Sequence, residues 1–111
     1  KHSRLNDVCL VNPKTWAVHL PAIVGVAPTG RVSSTLTFWE KEKLLLFGGR
    51  AGTSKPFNDC YCIDIHNLTW KKMRTNGEHI PEPRWRHASV VCDSNLLVFG
   101  GRDQSTVFSW S

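Results

Sequence analysis

The sequence predicts an all-β chain built from a tandem unit of about 50 residues. Three observations carry that expectation. First, short tracts recur at one spacing. Phe47-Gly48-Gly49-Arg50 returns as Phe99-Gly100-Gly101-Arg102, and Asn6-Asp7 returns as Asn58-Asp59, both 52 residues on. Pro28-Thr29-Gly30-Arg31 is echoed by Pro81-Glu82-Pro83-Arg84 after 53 residues, and Trp16 by Trp70 after 54. Second, β-branched and aromatic residues fill the runs between turn-prone clusters. Third, no stretch of about 11 or more residues carries a helical period.

The elements follow in order. Residues 8–11 and 15–20 read as the last two strands of an earlier unit. Residues 21–31 connect it to the complete unit. There, residues 32–39, 43–47, 59–65 and 69–74 read as four strands. Turn-prone stretches at 40–42, 52–56 and 66–68 separate them. The next unit repeats the order with 88–92 and 95–99, and residues 107–110 open its third strand. The chain therefore divides into 1–30, 31–83 and 84–111, a complete unit between two partial ones.

Strands with one wet face should alternate in polarity. Leu44-Leu45-Leu46-Phe47 and Leu96-Leu97-Val98-Phe99 do not. Such runs need cover on both faces, and small four-stranded sheets stacked around an axis supply it. The pairs Gly48-Gly49 and Gly100-Gly101 end these runs, where a sharp turn beside a neighbouring sheet favours positive φ or close backbone approach.

These residues resemble kelch repeats, in which each unit is one β-propeller blade. The pattern reads Arg86-His87, then Leu97-Val98-Phe99-Gly100-Gly101, Asn58-Asp59-Cys60-Tyr61 and Trp70. The resemblance covers nearly the whole chain. It implies that His87 is a structural brace between blades, and in the complete unit that histidine is replaced within Arg31-Val32-Ser33-Ser34. Trp16 and Trp70 are expected in the core. Arg84-Trp85-Arg86-His87 and the two Gly-Gly-Arg endings are also similar to the C-terminal kelch region of tRNA wybutosine-synthesising methyltransferases. That similarity would leave the catalytic, leucine carboxyl methyltransferase-like half upstream.

Length and composition bound the function. A chain of 111 residues supplies about two blades, whereas propellers close with about four to eight. The first residue is Lys1, and the chain reads as a piece of something longer. Self-association into a ring, or packing on other blades, are the alternatives. No apolar run approaches the roughly 20 residues of a membrane helix. Cys9, Cys60, Cys62 and Cys92 lie in apolar stretches without a CxxC spacing, so buried thiols, not a metal site, are expected. With no signal pattern, the expected location is cytoplasmic. Asn67-Leu68-Thr69 matches a glycosylation sequon, relevant only to a secreted chain.

No catalytic constellation, phosphate loop or dinucleotide fingerprint is present, so neither catalysis nor a cofactor is expected from this chain. Binding is the better reading. In a four-stranded antiparallel blade, the loops after the second and fourth strands emerge on one face. That face gathers Arg31, Arg50, Lys55, Arg74, Arg84, Arg86 and Arg102, against Glu78, Glu82 and Asp103. The opposite face is nearly balanced. Arg50, Lys55 and Arg102 are the freer partner-binding candidates. Arg31, Arg84 and Arg86, which open blades, are equally open to bracing, and Trp85 to an exposed or a buried place. A protein partner is expected first, as an acidic peptide or domain. tRNA is the alternative, with salt-dependent phosphate contacts.

Overall fold

The computed structural model describes residues 4–52, 55–77 and 80–103. The described residues are all-β. The strands are β1 (Leu10–Val11), β2 (Val18–His19), β3 (Val24–Gly25), β4 (Thr35–Glu40), β5 (Lys43–Phe47), β6 (Cys60–Asp64), β7 (Thr69–Met73), β8 (Ala88–Cys92) and β9 (Asn95–Phe99). Strands β4 to β7 form one antiparallel meander, the complete blade. β1 pairs with β2, and β8 with β9, as antiparallel hairpins on either side of it in sequence. The expected third strand at 107–110 lies outside the described residues.

The complete blade folds in register because its apolar runs match. Leu44 faces Ile63 and Leu46 faces Tyr61 across β5 and β6, and Ile63 faces Trp70 across β6 and β7. Tyr61, Ile63 and Trp70 are the buried cluster, with Val8, Ile23, Leu44, Leu46 and Ile65 packed against it. The Tyr61 and Trp70 rings meet edge to face at 6.3 Å.

Two details depart from the sequence expectation. Residues 21–31 are not only a connection: β3 runs parallel to β7 as a fifth, outer strand. Val24 N donates to the Leu68 carbonyl and Val26 N to the Trp70 carbonyl, at 3.1 and 3.2 Å. Gly25, at φ +98°, lets this edge close, because a Cβ there would collide with the Trp70 carbonyl. A two-residue strand is too short to show a period. Trp16 is not in the core either. It is 71% exposed in the connection between β1 and β2, and the register puts Val18, not Trp16, in the place of Trp70: Val11 pairs with Val18 as Ile63 pairs with Trp70.

The repeat spacing has a structural cause. Phe38 pairs with Leu44 and Glu40 with Lys43, so Trp39 bulges out of β4. In the next unit Val91 pairs with Leu96 and Cys92 with Asn95, with no extra residue. The spacing is therefore 53 before the bulge and 52 after it.

Adjacent blades meet along their first strands. Thr35 Oγ1 lies 2.9 Å from His87 Nε2, and Thr37 Oγ1 lies 2.6 Å from Ser89 Oγ. His87 is buried and stands edge-on to Phe47, with centroids 5.4 Å apart. Phe47 is 3% exposed, whereas Phe99, its repeat equivalent, is 76% exposed. The difference is the neighbouring blade that covers Phe47.

Candidate functional site: an arginine cluster around Trp85

The segment that opens the third unit is sewn into the complete blade by its backbone. Gly49 N donates to the Arg84 carbonyl at 2.9 Å, Arg84 N to the Phe57 carbonyl at 3.0 Å, and Arg86 N to the Ser33 carbonyl at 3.0 Å. Trp85 and Arg102 exchange a pair of hydrogen bonds at 3.0 and 2.8 Å, as Val32 and Arg50 do one repeat earlier at 2.9 and 3.0 Å. Each Gly-Gly-Arg is thus tied to the residue after its blade-opening arginine. Gly49 and Gly101, at φ +95° and +96°, make room for this: a Cβ on either would lie 2.8–2.9 Å from the Val32 or Trp85 carbonyl.

This scaffold brings three guanidinium groups to one indole. The Cζ atoms of Arg50, Arg86 and Arg102 lie 4.5, 4.9 and 5.8 Å from the Trp85 ring centroid. Those are cation–π distances. Trp85 is itself buried. Arg50 Nε also donates to the Gly52 carbonyl at 2.8 Å. Arg86 is exposed, at φ +59°, and Lys55, on the loop that follows Arg50, is also exposed. Arg50 and Arg102, expected as the freer partner-binding candidates, are held against Trp85. Sequence reasoning missed this because stacking needs three segments brought together by the fold.

Arg31 and Arg84 do different work from these three. Arg31 Nη1 and Nη2 grip the two carboxylate oxygens of Asp59 at 2.6 and 3.2 Å, and Nη1 also donates to the Gly48 carbonyl. The Phe57 ring lies 3.9 Å from Arg31 Cζ. Arg84 repeats the backbone part of this arrangement, with Nη1 on the Gly100 carbonyl and Nε on the Glu82 carbonyl, each at 3.1 Å. Asn6 and Asn58 repeat as well, donating to the carbonyls of Pro28 and Pro81.

Burial pushes the His87 imidazole below its usual value against a smaller upward pull from the Phe47 backbone, and the Arg84 charge lowers it further. Burial, with Cys62 and Asp59 adding to it, pushes the Cys60 thiol up to about 11. All four cysteines are free, Cys60 and Cys62 buried, Cys9 and Cys92 exposed. Exposure of Cys9 and Cys92 departs from four buried thiols: Cys9 lies just before β1 and Cys92 ends β8, each beside a two-stranded sheet. Among the described residues no group of three or more His, Cys, Asp and Glu converges as a metal site. No helix among them is long and apolar enough to cross a membrane.

The sequence is similar to several characterised proteins. It is 33% identical over 101 residues to the tRNA wybutosine-synthesizing protein 2/3/4 of Oryza sativa subsp. japonica, covering 91% of this chain and 9% of that protein. It is 31% identical over 102 residues to Kelch domain-containing protein 2 of Bos taurus, covering 91% and 25%. It is 30% identical over 105 residues to the Rab9 effector protein with kelch motifs of Xenopus laevis, covering 93% and 28%. The chain thus spans between about a tenth and a quarter of the length of these relatives. The family described as the KLHDC2/KLHL20/DRC7 Kelch-repeats domain matches residues 1–109. Repeat spacing, blade topology and this match agree: the chain belongs to the kelch-repeat family.

Proposed function

We propose that this chain is a non-catalytic interaction segment that receives an acidic stretch of a partner protein at the Arg50–Trp85–Arg86–Arg102 cluster. The blades are organised as 1–30, 31–83 and 84–111. The observation that carries the reading is the convergence of three guanidinium groups on one buried indole. Guanidinium groups held in place lose less entropy on binding carboxylates than free side chains do. Loops on a rigid scaffold are the usual seat of binding. Similarity to a protein named as a Rab9 effector supports a protein partner. Free thiols support a reducing, cytosolic setting. Calorimetric titration with a glutamate-rich peptide tests the reading. Saturable binding that Arg50→Ala with Arg102→Ala weakens at least tenfold is expected, and binding unaffected by that pair would refute it.

A second reading assigns the cluster to tRNA beside a methyltransferase. It is favoured by the net charge of +5 and the similarity to the rice wybutosine-synthesizing protein. It requires tRNA affinity that falls steeply with salt, with a slope that the same double substitution flattens. Salt-insensitive or absent tRNA binding removes it.

A further inference from the structure

Residues 74–80 connect β7 to the segment that opens the next blade. The connection is fixed at both ends. Met73 closes β7 opposite Cys60, and the Pro81 carbonyl accepts a hydrogen bond from Asn58 Nδ2 at 3.1 Å. Between these anchors stands Asn76-Gly77, with both residues exposed. Among the described residues, no loop hydrogen bond holds either of them.

Six asparagines occur in the chain, and the fold treats them unequally. The Asn6 and Asn58 amides donate to the Pro28 and Pro81 carbonyls. Asn12 Oδ1 accepts from the Lys14 and Thr15 backbone amides. Asn67 Nδ2 donates to Asp64 Oδ2, and Asn95 Nδ2 to the Asp93 carbonyl. Among the described residues, Asn76 alone has no such bond to its side chain. Its follower differs too. Asp7, Pro13, Asp59, Leu68 and Leu96 follow the other five, whereas Asn76 precedes a glycine. Gly77 lies at φ +117°, and a Cβ there would meet nothing within 4 Å among the described residues. No side chain screens the Gly77 nitrogen, and its backbone has the freedom peculiar to glycine.

An amide beside such a nitrogen has a reaction of its own. The Gly77 nitrogen gives up its proton and adds to Asn76 Cγ. A C–N bond forms, the Cγ–Nδ2 bond breaks, and ammonia leaves with the proton that Gly77 released. The product is a five-membered succinimide. Water then adds to one of the two succinimide carbonyl carbons and opens the ring. Breaking the bond at Cγ leaves an ordinary aspartate. Breaking the bond at the main-chain carbonyl carbon leaves a β-aspartyl linkage. Nothing is oxidised or reduced, and water is the co-reactant. The hydrogen bonds that hold the other five side chains oppose the rotation this closure needs.

We propose that Asn76-Gly77 is a self-modifying site, where the unheld Asn76 amide closes on the unscreened Gly77 nitrogen and the loop acquires a carboxylate. The new carboxylate stands two residues from Arg74 and lowers the net charge of +5 by one. The reaction makes no use of Arg50, Trp85, Arg86 or Arg102, so it does not rest on the acidic-ligand reading.

Tryptic peptide mapping of the full chain, kept folded at mildly acidic and mildly alkaline pH, tests this. Cleavage after Arg74 and Arg84 releases residues 75–84, whose one amide side chain is Asn76. That peptide should gain the mass of an amide-to-acid exchange and separate into aspartate and β-aspartate forms. Conversion should run faster at alkaline pH, because the Gly77 nitrogen must lose its proton. Asn76→Gln, at an exposed position, should leave the mass unchanged over the same period. Gly77→Ala should slow conversion about tenfold or more, since a Cβ screens the nitrogen and restricts the backbone. A synthetic peptide of residues 75–84 should convert at close to the rate of the folded chain. An unchanged mass overturns the proposal, as does conversion of Asn58 or Asn67 ahead of Asn76, or a Gly77→Ala rate equal to that of the wild type. So does a folded chain far slower than the peptide, since the fold would then hold the amide.

Discussion

Arg31 and Asp59 form a two-pronged ion pair that closes the complete blade, at 2.6 Å on the shorter side. The Arg31 side chain is 4% exposed and that of Asp59 20%. A bidentate guanidinium–carboxylate pair is specific in geometry, and removing one partner strands the other charge. Asp59→Asn should therefore cost about 3 kcal/mol of unfolding free energy, at the low end for a broken buried pair because Asp59 keeps some water. Arg31→Lys should also destabilise, since an ammonium cannot make both bonds. Urea unfolding of the two variants measures this, and a loss below about 1 kcal/mol for Asp59→Asn would count against a structural pair.

Gly48 and Gly100 hold the same repeat position at φ +70° and +73°, in different surroundings. A Cβ on Gly48 would lie 2.7 Å from His87 Cε1 and 2.8 Å from the Arg84 carbonyl, whereas one on Gly100 meets nothing within 4 Å among the described residues. Gly100→Ala should cost only the left-handed backbone penalty, about 1–2 kcal/mol. Gly48→Ala should cost that and about 1–3 kcal/mol more for overpacking. Equal losses in dilute protein would show that the next blade does not press on Gly48.

His87 makes stability depend on pH. Its folded value lies below the ordinary histidine value, mainly through burial, so the unfolded chain takes up a proton first as the pH falls. The contribution is complete above about 6.5 and shrinks as the pH drops from there through the folded value. The wild type should lose more stability than His87→Gln between neutral and mildly acidic pH. Urea midpoints at several pH values check this, and parallel curves would remove His87 from the account.

Thiol reactivity should sort the four cysteines. Cys60 is buried, with its thiol pushed up to about 11, so almost no thiolate exists near neutral pH. Iodoacetamide should label Cys9 and Cys92 rapidly and Cys60 only on unfolding, as read by mass spectrometry. Equal labelling of Cys60 and Cys92 in the folded chain would contradict the burial of β6.

The strands were legible because repeat and pattern agreed. Residues 43–47, 88–92 and 95–99 coincide with β5, β8 and β9 to the residue, where the repeat places each strand at its equivalent position. β3 was hidden because two residues beside β7 carry no period. The bulge at Trp39 was present in the sequence only as the slip from 53 to 52 between repeat marks. At the charged end, only the expectation that these arginines share one face was readable from strand order. Their gathering on Trp85 was not, because Arg50, Arg86 and Arg102 converge only through the backbone pairs that join successive blades. Trp16 was misplaced because its spacing of 54 puts it two residues ahead of Val18, which holds the place of Trp70 in the pair register.

The most direct test of the Arg–Trp85 site is the indole N–H signal of Trp85 in a nitrogen-15 NMR spectrum, assigned with Trp85→Phe. On titration with a glutamate-rich peptide, that signal should shift in step with binding, and Arg50→Ala with Arg102→Ala should suppress the shift. Saturable peptide binding that leaves the Trp85 signal unmoved would place the site elsewhere and contradict the account.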